Sequence, residues 1–117
     1  MDALIAAFNN SCAGLSHALR TERAVQQEAV VLALAIPLAF FVAVGLWQFV
    51  ALVSVVLLVM AVELLNTCIE KLCDHVTPER HPMIKIVKDM GSAAVFCALL
   101  IAGLVWLVAL AERLGLA

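Results

Sequence analysis

The sequence predicts an all-α membrane protein, with an amphipathic surface helix followed by three transmembrane helices. Three observations carry that class. Of the 117 residues, 66% are hydrophobic and only 14% are charged, whereas soluble domains carry about 25% charged residues. Mean hydropathy is +1.13. The charges are also gathered: apart from Asp2, Glu112 and Arg113, every Asp, Glu, Lys and Arg lies within residues 20–28 or 63–89. A membrane-like chain that concentrates its charge this way does chemistry or ion movement there.

One domain, 1–117, is the natural count at this length. The net charge of −2 gives no reason to expect nucleic acid. Cys12, Cys68, Cys73 and Cys97 form neither a CxxC pair nor a zinc spacing, and no disulfide is expected. The N-terminus lacks the basic region of a signal peptide and carries Asp2, so the apolar segments themselves are expected to direct insertion.

Residues 1–22 form the predicted surface helix. Leu4, Ile5, Phe8, Cys12, Leu15 and Leu19 recur at steps of three or four, the spacing of one apolar helical face. That face suits either the membrane surface or the protein's own body. Residues 29–62 then contain no Asp, Glu, Lys, Arg or His across 34 positions. One span needs roughly 20 residues, so the run is two spans, 26–45 and 49–70. The break is expected near Gly45, Leu46, Trp47 and Gln48, where glycine permits a turn and tryptophan suits the interface. Pro37 falls inside the first span, which bilayers tolerate. The second helix should continue to about Asp74. Thr77-Pro78 and His81-Pro82 mark a loop over 75–85, because a residue before proline disfavours helix. The third span is 86–111.

Arg20, Arg23, Lys71, Arg80, Lys85 and Lys88 then fall on one side of the membrane and Arg113 alone on the other. The positive-inside rule makes the N-terminus and the 75–85 loop cytoplasmic and the C-terminus external.

Glu63 is the most informative residue. It interrupts an apolar run, and an ionised carboxylate there costs several kcal/mol unless paired or hydrated. Glu63, Asn66 and Glu70 share one helical face at i, i+3 and i+7, and Asp74 extends that line by a turn. A polar lock between helices would explain Glu63 alone. It does not explain why the line continues towards water with two more acids. The structural reading of Lys88-Asp89 is a snorkelling lysine and an aspartate that caps the helix or pairs with it. Gly91, Ser92, Ala93 and Ala94 are small enough for another helix to approach closely. Glu22, Glu28, Glu63, Glu70, Asp74 and Asp89 all lie on one membrane face, and convergent carboxylates suit Mg²⁺. Arg80, Lys85 and Lys88 could offset phosphate charge. No Walker A or GxGxxG sequence is present.

The pattern E-L-L-N-x-x-I-E-x-x-x-D at 63–74, with K-D-M-G-S-A-A-V at 88–95, resembles the prokaryotic diacylglycerol kinase family. The run ERAVQQE at 22–28 is similar to that family's E-x-A-x-x-Q-E segment, with Arg23 at a common alanine position. The resemblance covers nearly the whole chain. It implies a homotrimer in the bacterial inner membrane that uses MgATP to phosphorylate the hydroxyl of diacylglycerol, giving phosphatidate, at sites between subunits. It implies Glu63 as catalytic base, and Glu22 and Glu70 as the acids that hold Mg²⁺ with ATP. Lys88, Asp89, Glu79 and His81 would contact the nucleotide. Asn66, Asp74 and Glu28 would be supporting polar residues. Ser92, Ser11 and Trp106 would lie near the lipid.

Ala3 and Asn10 stand where the family often has an arginine and an aromatic residue, and Ala13 and Ser16 replace basic positions. The nucleotide is therefore expected to be held differently at that edge. Undecaprenol is the alternative acceptor, as in related members of the family. Outside kinase chemistry, the acidic line would suit an ion-conducting oligomer, and the helices a membrane scaffold.

Overall fold

A computed structural model describes residues 2–117 as four helices: α1 (Asp2–Thr21), α2 (Arg23–Val42), α3 (Leu46–Val76) and α4 (Pro82–Arg113). Among the described residues there is no strand. Met1, part of the expected surface helix, lies outside the described residues. Helices α2, α3 and α4 are each long and apolar enough to cross a membrane.

The α1–α2 junction is short because both helices share its backbone bonds. The Glu22 N–H donates to the Ala18 carbonyl at 2.8 Å, and the Gln26 side chain donates to the Leu19 carbonyl at 3.0 Å. Ala18 and Val25 are buried there. The rest of α1 leaves Leu4, Ile5, Phe8, Leu15 and Leu19 exposed. Its apolar face is therefore not consumed by its own chain.

Helix α2 ends at Val42, short of residue 45, and α3 begins at Leu46, ahead of residue 49. Gln48 causes the early turn: its Oε1 accepts from the Val44 N–H at 2.7 Å, which satisfies the backbone of the 43–45 link. Its Nε2 donates to Glu112 Oε2 at 2.6 Å, tying the far end of α4 to the same turn. Beneath this clamp Ala39, Leu52 and Ala109 form a buried cluster, and the Trp106 indole N–H donates to the Leu52 carbonyl at 3.1 Å.

At the other end the loop is only 77–81, narrower than 75–85. Helix α3 runs on through Val76, and α4 starts at Pro82 rather than near 86. Proline at the first helical position has a preset φ and no N–H to leave unpaired. His81 before it is extended, with φ −132° and ψ 133°, and its Nδ1 caps α4 by accepting from the Met83 N–H at 3.1 Å. With 31 and 32 residues, α3 and α4 are about 46–48 Å long, against roughly 30 Å of hydrocarbon. The surplus turns project beyond the bilayer core.

Gly91 of α4 lies directly against α3. A Cβ there would overlap the Asn66 side-chain carbonyl on α3, and both residues are buried. Gly91→Ala should therefore force Asn66 to turn and cost about 1–3 kcal/mol as overpacking, read as a lower melting temperature in detergent micelles. In an Asn66→Ala background the same change should be neutral or stabilising, since alanine is the better helix former. Equal losses in both backgrounds would contradict the packing. Separately, Gln48→Ala should destabilise by about 1 kcal/mol through its lost hydrogen bonds, and Glu112→Ala should add little to it.

Candidate active site

The line on α3 predicted from spacing is continuous in space. Asn66 is buried, and its amide Nδ2 donates to Glu70 Oε1 at 3.1 Å. Its Oδ1 has no partner and rests against Gly91. A turn further on, Asp74 Oδ1 accepts from Lys88 Nζ of α4 at 2.7 Å. Towards the apolar middle Glu63 is half-buried. It lies close enough to Glu28 on α2 and to Glu70 on its own helix for their charges to interact. Glu28 Oε2 is buried and has no hydrogen-bond partner. Glu63 thus senses the charge of Glu28 across the α2–α3 contact and that of Glu70 along its own helix.

At the helix ends, Asp74, Glu79, Arg80, His81, Lys88 and Asp89 are among the residues lining a cavity of ≈ 660 Å³. That volume lies within the roughly 300–1,000 Å³ range of small-molecule sites. Of the six residues expected to bind ATP, Glu79, His81, Lys88 and Asp89 line it, whereas Glu22 and Glu70, expected to do so with the metal, do not. Both signs of charge are present, and they pair internally. Lys88 binds Asp74, while Lys85 Nζ binds Asp89 Oδ2 at 2.6 Å. Asp89 thus pairs with Lys85, one turn back, and not with Lys88, because consecutive side chains on a helix diverge while i,i+4 side chains meet.

Glu22 sits apart from this cavity, at the start of α2. It occupies the N-cap position but makes no side-chain cap bond. Its Oε1 instead meets Lys71 Nζ of α3 at 2.6 Å and accepts from Thr21 Oγ1 at 3.3 Å. The hydrogen bond from Lys71 holds the Glu22 carboxyl below its usual range. It is charged at neutral pH, and the pair dissolves only as pH falls through that lowered value.

Two expected residues do not join the group. Ser11 Oγ donates to the Ala7 carbonyl of its own helix at 2.9 Å. Trp106 lies in the clamp at the opposite end, about 21 Å along α4 from Ser92 at 1.5 Å per residue. Ser92 itself is exposed, one turn beyond Lys88. Spacing did not reveal Lys71 as the partner of Glu22. Its only sequence signal was a lysine immediately after Glu70, at the polar end of an apolar helix.

A family model described as Prokaryotic diacylglycerol kinase matches residues 9–110. The Haemophilus influenzae diacylglycerol kinase is 42% identical over 103 residues, which cover 88% of this chain and 87% of that protein. The Escherichia coli K12 diacylglycerol kinase is 39% identical over 112 residues, 96% of this chain and 92% of that one. The Pseudomonas aeruginosa diacylglycerol kinase is 40% identical over 103 residues, covering 88% and 84%. The matched region takes in the acidic line, the Glu22–Lys71 pair and the cavity together, and the chain belongs to the prokaryotic diacylglycerol kinase family.

Proposed function

We propose that this chain transfers the γ-phosphoryl group of ATP to the hydroxyl of diacylglycerol, giving phosphatidate and ADP. The observation that carries the reading is the line Glu63, Asn66, Glu70 and Asp74, which leads from an apolar depth to a polar cavity. Diacylglycerol keeps its acyl chains in the bilayer and its hydroxyl at the interface, while ATP arrives from water. The two meet only on such a line. The shared name of the curated relatives favours diacylglycerol over undecaprenol as the acceptor.

Glu63 is the general base in this reading. It takes the hydroxyl proton as the lipid oxygen bonds to the γ-phosphorus and the bond to the departing ADP oxygen breaks. Asn66 holds Glu70, Asp74 holds Lys88, and Glu28 lies beside the base. Glu79, His81, Lys88 and Asp89 contact the nucleotide, with His81 limited to Nε2 because Nδ1 caps α4. Ser92 faces the lipid headgroup, and Ser11 and Trp106 belong to the lipid's wider surroundings.

Glu22 and Glu70 hold the Mg²⁺ that enters with ATP. The chemistry such an ion would supply is to offset the charge of the phosphates. Among the described residues, Glu70 accepts from the Asn66 amide and Glu22 is paired with Lys71, so on Glu22 the metal would meet a carboxylate whose charge the ammonium already draws on. Among the described residues no group of three or more His, Cys, Asp and Glu is placed to hold an ion. That fits Mg²⁺ held by one or two carboxylates together with substrate phosphates and water.

The assembly in this reading is a homotrimer with sites shared between subunits. Glu70 is exposed on the single chain, and intramembrane acids face a bundle interior rather than lipid. The membrane is the bacterial inner membrane. Glu22, Lys71 and Lys88 lie at its cytoplasmic face by the positive-inside rule, and the C-terminus lies outside. Helices α1 to α4, with the link at 43–45 and the loop at 77–81, make up one kinase domain.

Glu63→Gln keeps the side chain's shape but cannot accept the proton. It should lower turnover by about 10²–10⁴-fold, with melting temperature and MgATP affinity little changed. A folded variant working within a fewfold of the parent would sink the base assignment. Mixed oligomers of Glu63→Gln and Asp89→Asn subunits should regain measurable activity if different chains supply those groups to one site. No recovery in well-mixed oligomers would argue for sites built within one chain.

A further inference from the structure

The Glu22–Lys71 pair joins residues that are remote in sequence, and its acid is one of the two assigned to the metal. An N-cap residue ordinarily turns its side chain back to the free N–H groups of its helix. Glu22 has the extended backbone of that position, φ −108° and ψ 114°, yet makes no cap bond. Its carboxylate leans across to α3, where Lys71 Nζ and Thr21 Oγ1 converge on Oε1. The Lys71 side chain is 56% exposed and the Glu22 side chain 23%. The ammonium therefore has open water to withdraw into, while the carboxylate is more confined. Besides Glu22, the acid whose charge Lys71 senses is Asp74, one turn along α3.

We propose that Lys71 is a built-in counter-cation for Glu22, one that a divalent metal must displace when the nucleotide is loaded. The proposal rests on the assignment of Glu22 to the metal. An ammonium at 2.6 Å from Oε1 and a metal ion at about 2.0–2.1 Å from the same group are two cations drawing on one negative charge. The lysine stem has the rotatable bonds and the hydration to leave, and no other hydrogen bond is made by its ammonium among the described residues. Before loading, Lys71 keeps Glu22 from standing as an unpaired charge at the start of α2. During loading it raises the concentration of metal needed.

The test is Mn²⁺ binding to the full chain in detergent micelles with a non-hydrolysable ATP analogue, reading free Mn²⁺ by electron paramagnetic resonance. Lys71→Met keeps most of the stem and removes the charge, and Lys71→Gln is carried alongside as a second neutral side chain. Both should bind Mn²⁺ about two- to fivefold tighter, the range an exposed ion pair supports, and the difference should shrink at high salt. Lys71→Arg should stay near the parent. Glu22→Gln should bind more weakly, and adding Lys71→Met to it should bring no tightening. If Glu22→Gln weakens binding but the neutral Lys71 variants do not tighten it, the counter-cation role is overturned and the metal role of Glu22 stands. Weaker binding in the neutral variants would make Lys71 a phosphate contact and overturn the proposal. Unchanged binding in Glu22→Gln would overturn the metal assignment and this proposal with it.

Discussion

Asn66 seated on Gly91 is the contact on which the arrangement of the site depends. A buried amide against a residue without a side chain fixes both the distance and the rotation between α3 and α4. Turning α3 by a single residue's step, about 100°, would carry the whole polar line off α4. With the rotation fixed, Asp74 falls opposite Lys88 and Glu63 faces Glu28 on α2. The unpartnered Asn66 Oδ1 is the cost of so close an approach. In an apolar surrounding such a group is tolerated only where packing leaves it no alternative.

Around that fixed contact the charges are balanced in two different ways. At the polar end each lysine of the site has an acid: Lys71 with Glu22, Lys88 with Asp74, Lys85 with Asp89. Deeper in, Glu28 and Glu63 form no ion pair among the described residues. Glu70 stands between the two ends, held by the Asn66 amide. In the proposed kinase reading the paired end would exchange its partners for phosphate and metal, and the unpaired Glu63 would supply the base.

Much of this was legible in the sequence, for identifiable reasons. The 34-residue run without charge forces two crossings, and prolines at 78 and 82 end one helix and begin the next. Glu63, Asn66 and Glu70 declare a common face because helical periodicity is local. The pairings between helices were not legible. Glu22 with Lys71 and Gln48 with Glu112 join residues far apart in the chain, and no spacing rule reaches across a bundle. The partner of Asp89 was misread between neighbouring lysines, a choice that helix geometry decides once the helix is known to begin at Pro82. Nor was the acceptor of the Trp106 indole N–H legible: it is the Leu52 carbonyl, on another helix.

Helix α4 is fastened at two points, by Gln48 and Trp106 at its far end and by Gly91 against Asn66 nearer the other. From Glu112 to Gly91 these points are about 32 Å apart at 1.5 Å per residue. A rod held at both places can neither tilt nor turn freely on its neighbour. Lys88 stands less than one turn beyond the second fastening, so its separation from Asp74 is set by the long lysine side chain and not by movement of the helix that carries it.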